Sequence, residues 1–114
     1  MESEIISGLS ALAQPTRLQA FRLLVTHEPE GIPAGEIARA LDVPQNTLSS
    51  HLSVLSQAGL VSSKRQGTTI IYRANLEHLR TVISFLLKDC CAGRSEICAP
   101  LIADLTPRPA CETC

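Results

Sequence analysis

The chain has 114 residues, of which 45% are hydrophobic, and a formal net charge of -1. That length bounds it to one domain with room for a tail, and the near-neutral sum does not by itself advertise a nucleic-acid binder. With no tryptophan, one tyrosine and two phenylalanines, the core must rest on Leu, Ile, Val and Ala.

The opening MESEIISGLS has neither the basic head nor the long apolar run of a signal peptide. No stretch approaches the eighteen apolar residues of a membrane span. The expectation is a cytoplasmic protein with no membrane partner and reduced thiols. Ile5, Ile6, Leu9 and Leu12 recur at roughly helical spacing and predict a short amphipathic helix over 1–13. Pro15 separates it from a second helix, PTRLQAFRLLVTHEPE. There Leu18, Phe21 and Leu24/Val25 form one stripe, with Arg17 and Arg22 off it. Pro29 and Gly31 mark a turn.

Ile37, Ala38 and Leu41 then predict a helix of about two turns. Asp42-Val43-Pro44 is a tight connection, because Pro44 disfavours the helical region for Val43. Leu48, Leu52 and Leu55 follow at i, i+4 and i+7, one face of a helix running to Gln57 that Gly59 can close. Two short helices so joined are the helix-turn-helix pattern. After Gly59 the period changes. LVSSKRQGTTIIYRAN reads as two strands around Lys64-Arg65-Gln66-Gly67, the second, Thr68 to Tyr72, rich in β-branched residues. From Asn75, a plausible N-cap, the helical period returns through Leu76, Leu79, Val82/Ile83 and Leu86/Leu87. The fold expected is mainly α with a β-hairpin, a winged helix-turn-helix in the order α-α-α-α-β-β-α. A chain so short with terminal amphipathic helices is expected to finish its burial against a second copy.

Charge distribution is more telling than the sum. No acidic residue lies between Val43 and Leu76, and that stretch carries Lys64, Arg65, Arg73 and His51. The polar face of the second helix of the motif offers Gln45, Asn46, Thr47, Ser49, Ser50 and Ser53, short or amide side chains suited to bases and phosphates. Lys64, Arg65 and Gln66 could reach backbone or minor groove. His51, beside the apolar stripe, reads first as a packing residue, then as a phosphate contact, and last as a metal ligand.

The blocks PTRLQAFRLL, GEIARALDVPQNTLSSHLSVLSQAGLV and KRQGTTIIYR resemble the ArsR/SmtB family of bacterial metalloregulatory repressors, over residues 10 to about 88. The resemblance implies a winged-helix homodimer, paired through its first and last helices, that binds a palindromic operator and is released by an inducer. It places Gln45, Thr47, Ser49, Ser50 and His51 on the recognition helix, and Arg65, Gln66 and Gly67 on the wing, beside Asn46 and Lys64, which the residue pattern adds to the DNA-binding set. Two familiar metal boxes of the family are incomplete here. PAGEIARAL lacks the cysteines of one, and the last helix offers only Glu77 and His78 toward the other.

All five cysteines lie from position 90 onward, in DCCAGRSEIC and CETC. In a reducing compartment they suggest ligands or sensors rather than disulfides. DCCAGRSEIC resembles the C-terminal trithiolate site of arsenic-responsive members of the family. Cys90, Cys91 and Cys98 leave a structural zinc site one ligand short. Trivalent arsenic or antimony, soft and carrying a lone pair, is satisfied by three sulfurs in a pyramid. Cys111 and Cys114 are possible accessory thiols. The expectation is therefore an operator-binding repressor, not an enzyme, needing no resident cofactor and induced by As(III) or Sb(III). It would comprise a DNA-binding and dimerisation domain over 1–90 and an inducer-binding tail over 91–114. Alternatives are a repressor sensing methylated trivalent arsenic, a soft divalent metal (Cd, Pb, Zn) or thiol oxidation. A winged-helix protein-interaction module without an operator is a further one.

Overall fold

The computed structural model describes residues 2–89. Five α-helices and three strands follow in order: α1 (Glu2–Leu12), α2 (Pro15–Thr26), β1 (Ile32–Pro33), α3 (Ala34–Leu41), α4 (Gln45–Gln57), β2 (Val61–Gln66), β3 (Thr69–Ala74) and α5 (Leu76–Ser84). The contacts divide the chain after Val82. Beyond that point, Phe85–Asp89 continue α5 as a π-helical turn. Among the described residues no helix is long and apolar enough to cross a membrane.

The core of the first unit is aliphatic apart from Phe21, as the composition requires. Ala20, Phe21 and Leu24 of α2, Ile37 and Ala38 of α3, and Leu48, Leu52 and Leu55 of α4 pack with Ala11, Ile32, Leu60, Val61 and Ala74 into one cluster. No polar or charged residue is buried with them among the described residues. Burying apolar area of this kind stabilises by roughly 25 cal/mol per Å². Packing, not propensity, thus holds helices as short as α3. α1 also meets α5. Gly8 is buried, and a Cβ there would stand 3.3 Å from Val82 Cγ2.

Left-handed residues close the two helices of the central motif. Asp42 (φ 57°, ψ 50°) ends α3, with Val43 N–H donating to the Ala38 carbonyl at 3.1 Å. Gly59 (φ 84°) ends α4. Its N–H donates to the Ser56 carbonyl and that of Leu60 to the Leu55 carbonyl, both at 3.0 Å, while the Leu55 and Leu60 side chains are fully buried. This is the Schellman arrangement, and its apolar contact fixes the angle at which the chain leaves α4 for the wing.

The sheet differs from the expected hairpin by one strand. β1 pairs antiparallel with β3 (Ile32↔Tyr72, Pro33↔Ile71), giving the order β1-β3-β2. Pro33 is tolerated because β1 is an edge. Gly31 makes the approach possible: at φ 82° a Cβ would lie 2.7 Å from the Tyr72 carbonyl oxygen. The wing turn is also displaced from the expected one. β2 runs to Gln66, which pairs with Thr69, so Gly67 (φ 65°) and Thr68 form the turn. A two-residue hairpin needs positive φ there, which glycine adopts without strain. Asn75 caps α5 as expected. Its Oδ1 accepts from His78 N–H at 3.3 Å, while its Nδ2 donates to the Gly59 carbonyl at 2.9 Å and ties α5 to the end of α4.

Candidate nucleic-acid interface

α4 begins after Pro44, which is extended (φ -60°, ψ 144°) and supplies no side-chain cap. First-turn N–H groups are therefore left for an anion, with one exception: Thr47 N–H donates to Asn46 Oδ1 at 2.9 Å. Leu48, Leu52 and Leu55 are fully buried and lock one side of the helix to the core. The 3.6-residue period then turns Gln45, Asn46, Thr47, Ser49, Ser50 and Ser53 outward, and all six are exposed. Gln45 Oε1 stands 4.0 Å from the point a Cβ would take on Gly35, so this side chain lies against α3.

His51 is half-buried, as expected for a residue beside the stripe. Its partner comes from another helix: Arg17 Nη1 of α2 lies 3.4 Å from His51 Nδ1. The sequence places Arg17 off the apolar stripe, and nothing local marks it as a neighbour of α4.

On the wing, Lys64, Arg65, Gln66 and Gly67 are exposed. Cross-strand pairs share a side of the sheet, and successive residues alternate between sides. Lys64, opposite Ile71, therefore points away from the side of Arg65, which pairs with Ile70 and shares its side with buried Val61 and Ala74. The wing thus presents one cation on each face.

Arg73 is a correction to the cation count. The local sequence assigns it to the acid-free stretch, but its Nη2 donates to Glu28 Oε1 at 2.8 Å and its Nε to Glu28 Oε2 at 3.3 Å. The bidentate hydrogen bond with Arg73 holds the Glu28 carboxyl below its ordinary value, against a smaller opposing effect of burial; Coulomb attraction and the Ala74 backbone hydrogen bond add to the lowering. Arg73 is already matched by a carboxylate and adds less to the positive face than Lys64 or Arg65.

Among the described residues no group of three or more His, Cys, Asp and Glu could hold a metal ion. His78, the residue nearest to a familiar metal position, packs its ring against Gly59 and lies near Gly8, with Nε2 buried and unpartnered. Cys90, Cys91, Cys98, Cys111 and Cys114 all lie outside the described residues.

A family model described as a helix-turn-helix domain matches residues 12–63. Over 79 residues the chain is 34% identical to the HTH-type transcriptional regulator KmtR of Mycobacterium tuberculosis, covering 69% of this chain and 58% of that protein's length. Over 95 residues it is 34% identical to the biofilm growth-associated repressor of Agrobacterium fabrum, covering 83% of this chain and 79% of that protein. An ArsR-like transcriptional regulator from Rhodococcus superposes with a TM-score of 0.70 at 27% identity, over 86% of this chain and 90% of that one. The solution structure of a homodimeric winged helix-turn-helix DNA-binding domain from Mycobacterium bovis, a possible ArsR-family regulator, gives 0.60 at 26% identity, over 76% and 84%.

Proposed function

Since this chain belongs to the ArsR/SmtB family of winged helix-turn-helix transcriptional regulators, we propose that it represses transcription as an operator-bound homodimer that releases DNA when its C-terminal thiolates capture a trivalent arsenic or antimony ion. The observation that carries the DNA-binding part is the solvent-facing side of α4, polar apart from Val54 in its C-terminal half, set beside an exposed Lys64-Arg65 wing in a stretch without acids. Gln45, Asn46, Thr47, Ser49 and Ser50 would read base edges or phosphates. Lys64, Arg65 and Gln66 would contact the sugar-phosphate backbone, with Gly67 letting the wing tip approach closely.

Dimerisation through α1 and α5 is supported by what those helices leave uncovered. Ile6 is 60% exposed, Leu9 41% and Leu76 43%. A second copy covering these side chains would place two recognition helices on one palindromic site, and the M. bovis relative is itself homodimeric.

The inducer reading rests on donor chemistry. Cys90, Cys91 and Cys98 supply three soft donors within a short span, which suits a trivalent, thiophilic ion better than tetrahedral zinc. Gathering Cys90, Cys91 and Cys98 on one ion would constrain the chain that follows α5, one of the two helices of the proposed dimer face. A coupling of about 1–3 kcal/mol changes operator affinity 5- to 150-fold. Cys111 and Cys114 favour a second reading: as a C-x2-C pair they could complete a four-sulfur site for a soft divalent metal.

Fluorescence anisotropy of a labelled operator tests these parts together. Binding should weaken steeply with salt, and Arg65→Ala should lower the salt slope by about one counterion. Arsenite should release the wild type, while serine at Cys90, Cys91 or Cys98 keeps operator binding and loses release. If the Cys111→Ser, Cys114→Ser protein loses induction while Cys90→Ser retains it, the trithiolate assignment is wrong.

A further inference from the structure

Arg17 occupies the first turn of α2 and makes three contacts that no packing role explains together. Its backbone N–H donates to Gln14 Oε1 at 2.9 Å, which caps α2. Its Nε donates to the Ala11 carbonyl at 2.6 Å, near the C-terminal end of α1. Its Nη1 then reaches His51 Nδ1 at 3.4 Å, across 34 residues of sequence. One rigid guanidinium therefore links the end of α1 to the outer part of α4.

A guanidinium has donors and no acceptor. In this contact Nδ1 must supply the lone pair, so the imidazole proton sits on Nε2. On the proposed reading of α4 as the recognition helix, on which this step rests, we infer that Arg17 is a positioning residue of the interface. It fixes the His51 ring and its tautomer so that Nε2–H is presented to an operator phosphate. A free imidazole would divide itself between two tautomers and several ring orientations, and only the Nε2-protonated form can donate from Nε2. Fixing it before DNA arrives removes the ordering cost from the binding step. Because Nε is anchored on Ala11, the ring is indexed to α1 as well as to its own helix.

The closing experiment uses the full chain and two readouts. Long-range 15N–1H NMR of the imidazole in the DNA-free wild type should show His51 protonated at Nε2 and bare at Nδ1. The opposite tautomer, or an averaged one, overturns the inference without any variant. The second readout is a double-mutant cycle on operator affinity. His51→Ala should weaken binding roughly tenfold, the scale of one lost charge-assisted hydrogen bond. Arg17→Met should weaken it by several-fold and should add little on top of His51→Ala, since Arg17 acts through the ring. Arg17→Lys has one nitrogen to share between Ala11 and His51 and should give only partial recovery. Effects of Arg17 and His51 that simply multiply would overturn the coupling. Should His51→Ala bind the operator like the wild type, the positioning role fails while the operator reading stands. If the wild type itself does not bind operator DNA, the operator reading fails and takes this inference with it.

Discussion

α1 and α4 are both amphipathic helices of similar length, yet they leave opposite surfaces to solvent. α4 buries Leu48, Leu52 and Leu55 completely and turns outward a row of amides and hydroxyls, interrupted by one exposed large apolar side chain, Val54. α1 buries Ile5, Gly8 and Ala11 and still exposes Ile6 and Leu9. Water solvates the first surface at little cost, and a ligand gains there only by matching hydrogen bonds better than water does. The second surface carries a standing cost of roughly 25 cal/mol per Å² that any apolar cover removes. Helical periodicity alone cannot separate the two cases. What distinguishes them is which side the core takes: one helix is left to read polar edges, the other to find an apolar partner.

Leu52→Ala attacks the buried side of α4 and should have the largest effect. The side chain is fully enclosed by the helical core, so the substitution loses both transfer energy and packing. A destabilisation of about 3 kcal/mol is expected in urea unfolding. Gln45→Ala, on the opposite side of the same helix, should stay within about 0.5 kcal/mol of the wild type. Equal losses at the two positions would mean that the outward face is structural, and the contrast with α1 would collapse.

Ile6→Asp tests the other half. Ile6 lies outside the core, so the circular dichroism spectrum of the protomer should not change. Self-association should weaken roughly a hundredfold, because an apolar contact is lost and a carboxylate must be desolvated in its place. Sedimentation over a concentration series reads the shift. A variant that stays dimeric at low micromolar concentration would move the dimer face away from α1.

Much of this was legible because local period reports burial. The spacing of Leu48, Leu52 and Leu55, the turn at Asp42-Val43-Pro44, the stop at Gly59 and the cap at Asn75 each follow from a few neighbouring residues. What was missed is long-range. β1 is two residues long and includes Pro33, so nothing in its own composition marks a strand; it exists because β3 accepts it and Gly31 permits the approach. The wing turn shifted toward its tip because Gly67, not the charged run before it, supplies positive φ. Arg17 reaches His51 from a different helix. For the cysteines, the inference is still one of donor chemistry, since they lie outside the described residues.

Arg73 gives the smallest effect and the finest test of the comparison. The sequence counts it with the cations of the reading surface, whereas its guanidinium is turned to Glu28 by two hydrogen bonds. The pair lies partly in solvent, with Arg73 49% exposed, so its contribution to stability is small and screened by salt. Its sign with pH is nevertheless definite. Arg73 lowers the Glu28 carboxyl in the folded protein, so the folded state binds fewer protons than the unfolded chain as the carboxyl titrates. The contribution is complete above the unfolded glutamate value and disappears as pH falls through the lower folded value. Glu28→Gln should therefore melt slightly below the wild type at neutral pH, with the gap closing on acidification through the carboxylate range. The same change leaves Arg73 without its carboxylate on an acid-free stretch and should tighten binding to random-sequence duplex DNA a little at low salt. A small loss in one assay and a small gain in the other would place Arg73 between the structural and the reading surfaces. A gap that widens on acidification would show that the carboxylate of Glu28 stabilises nothing through Arg73.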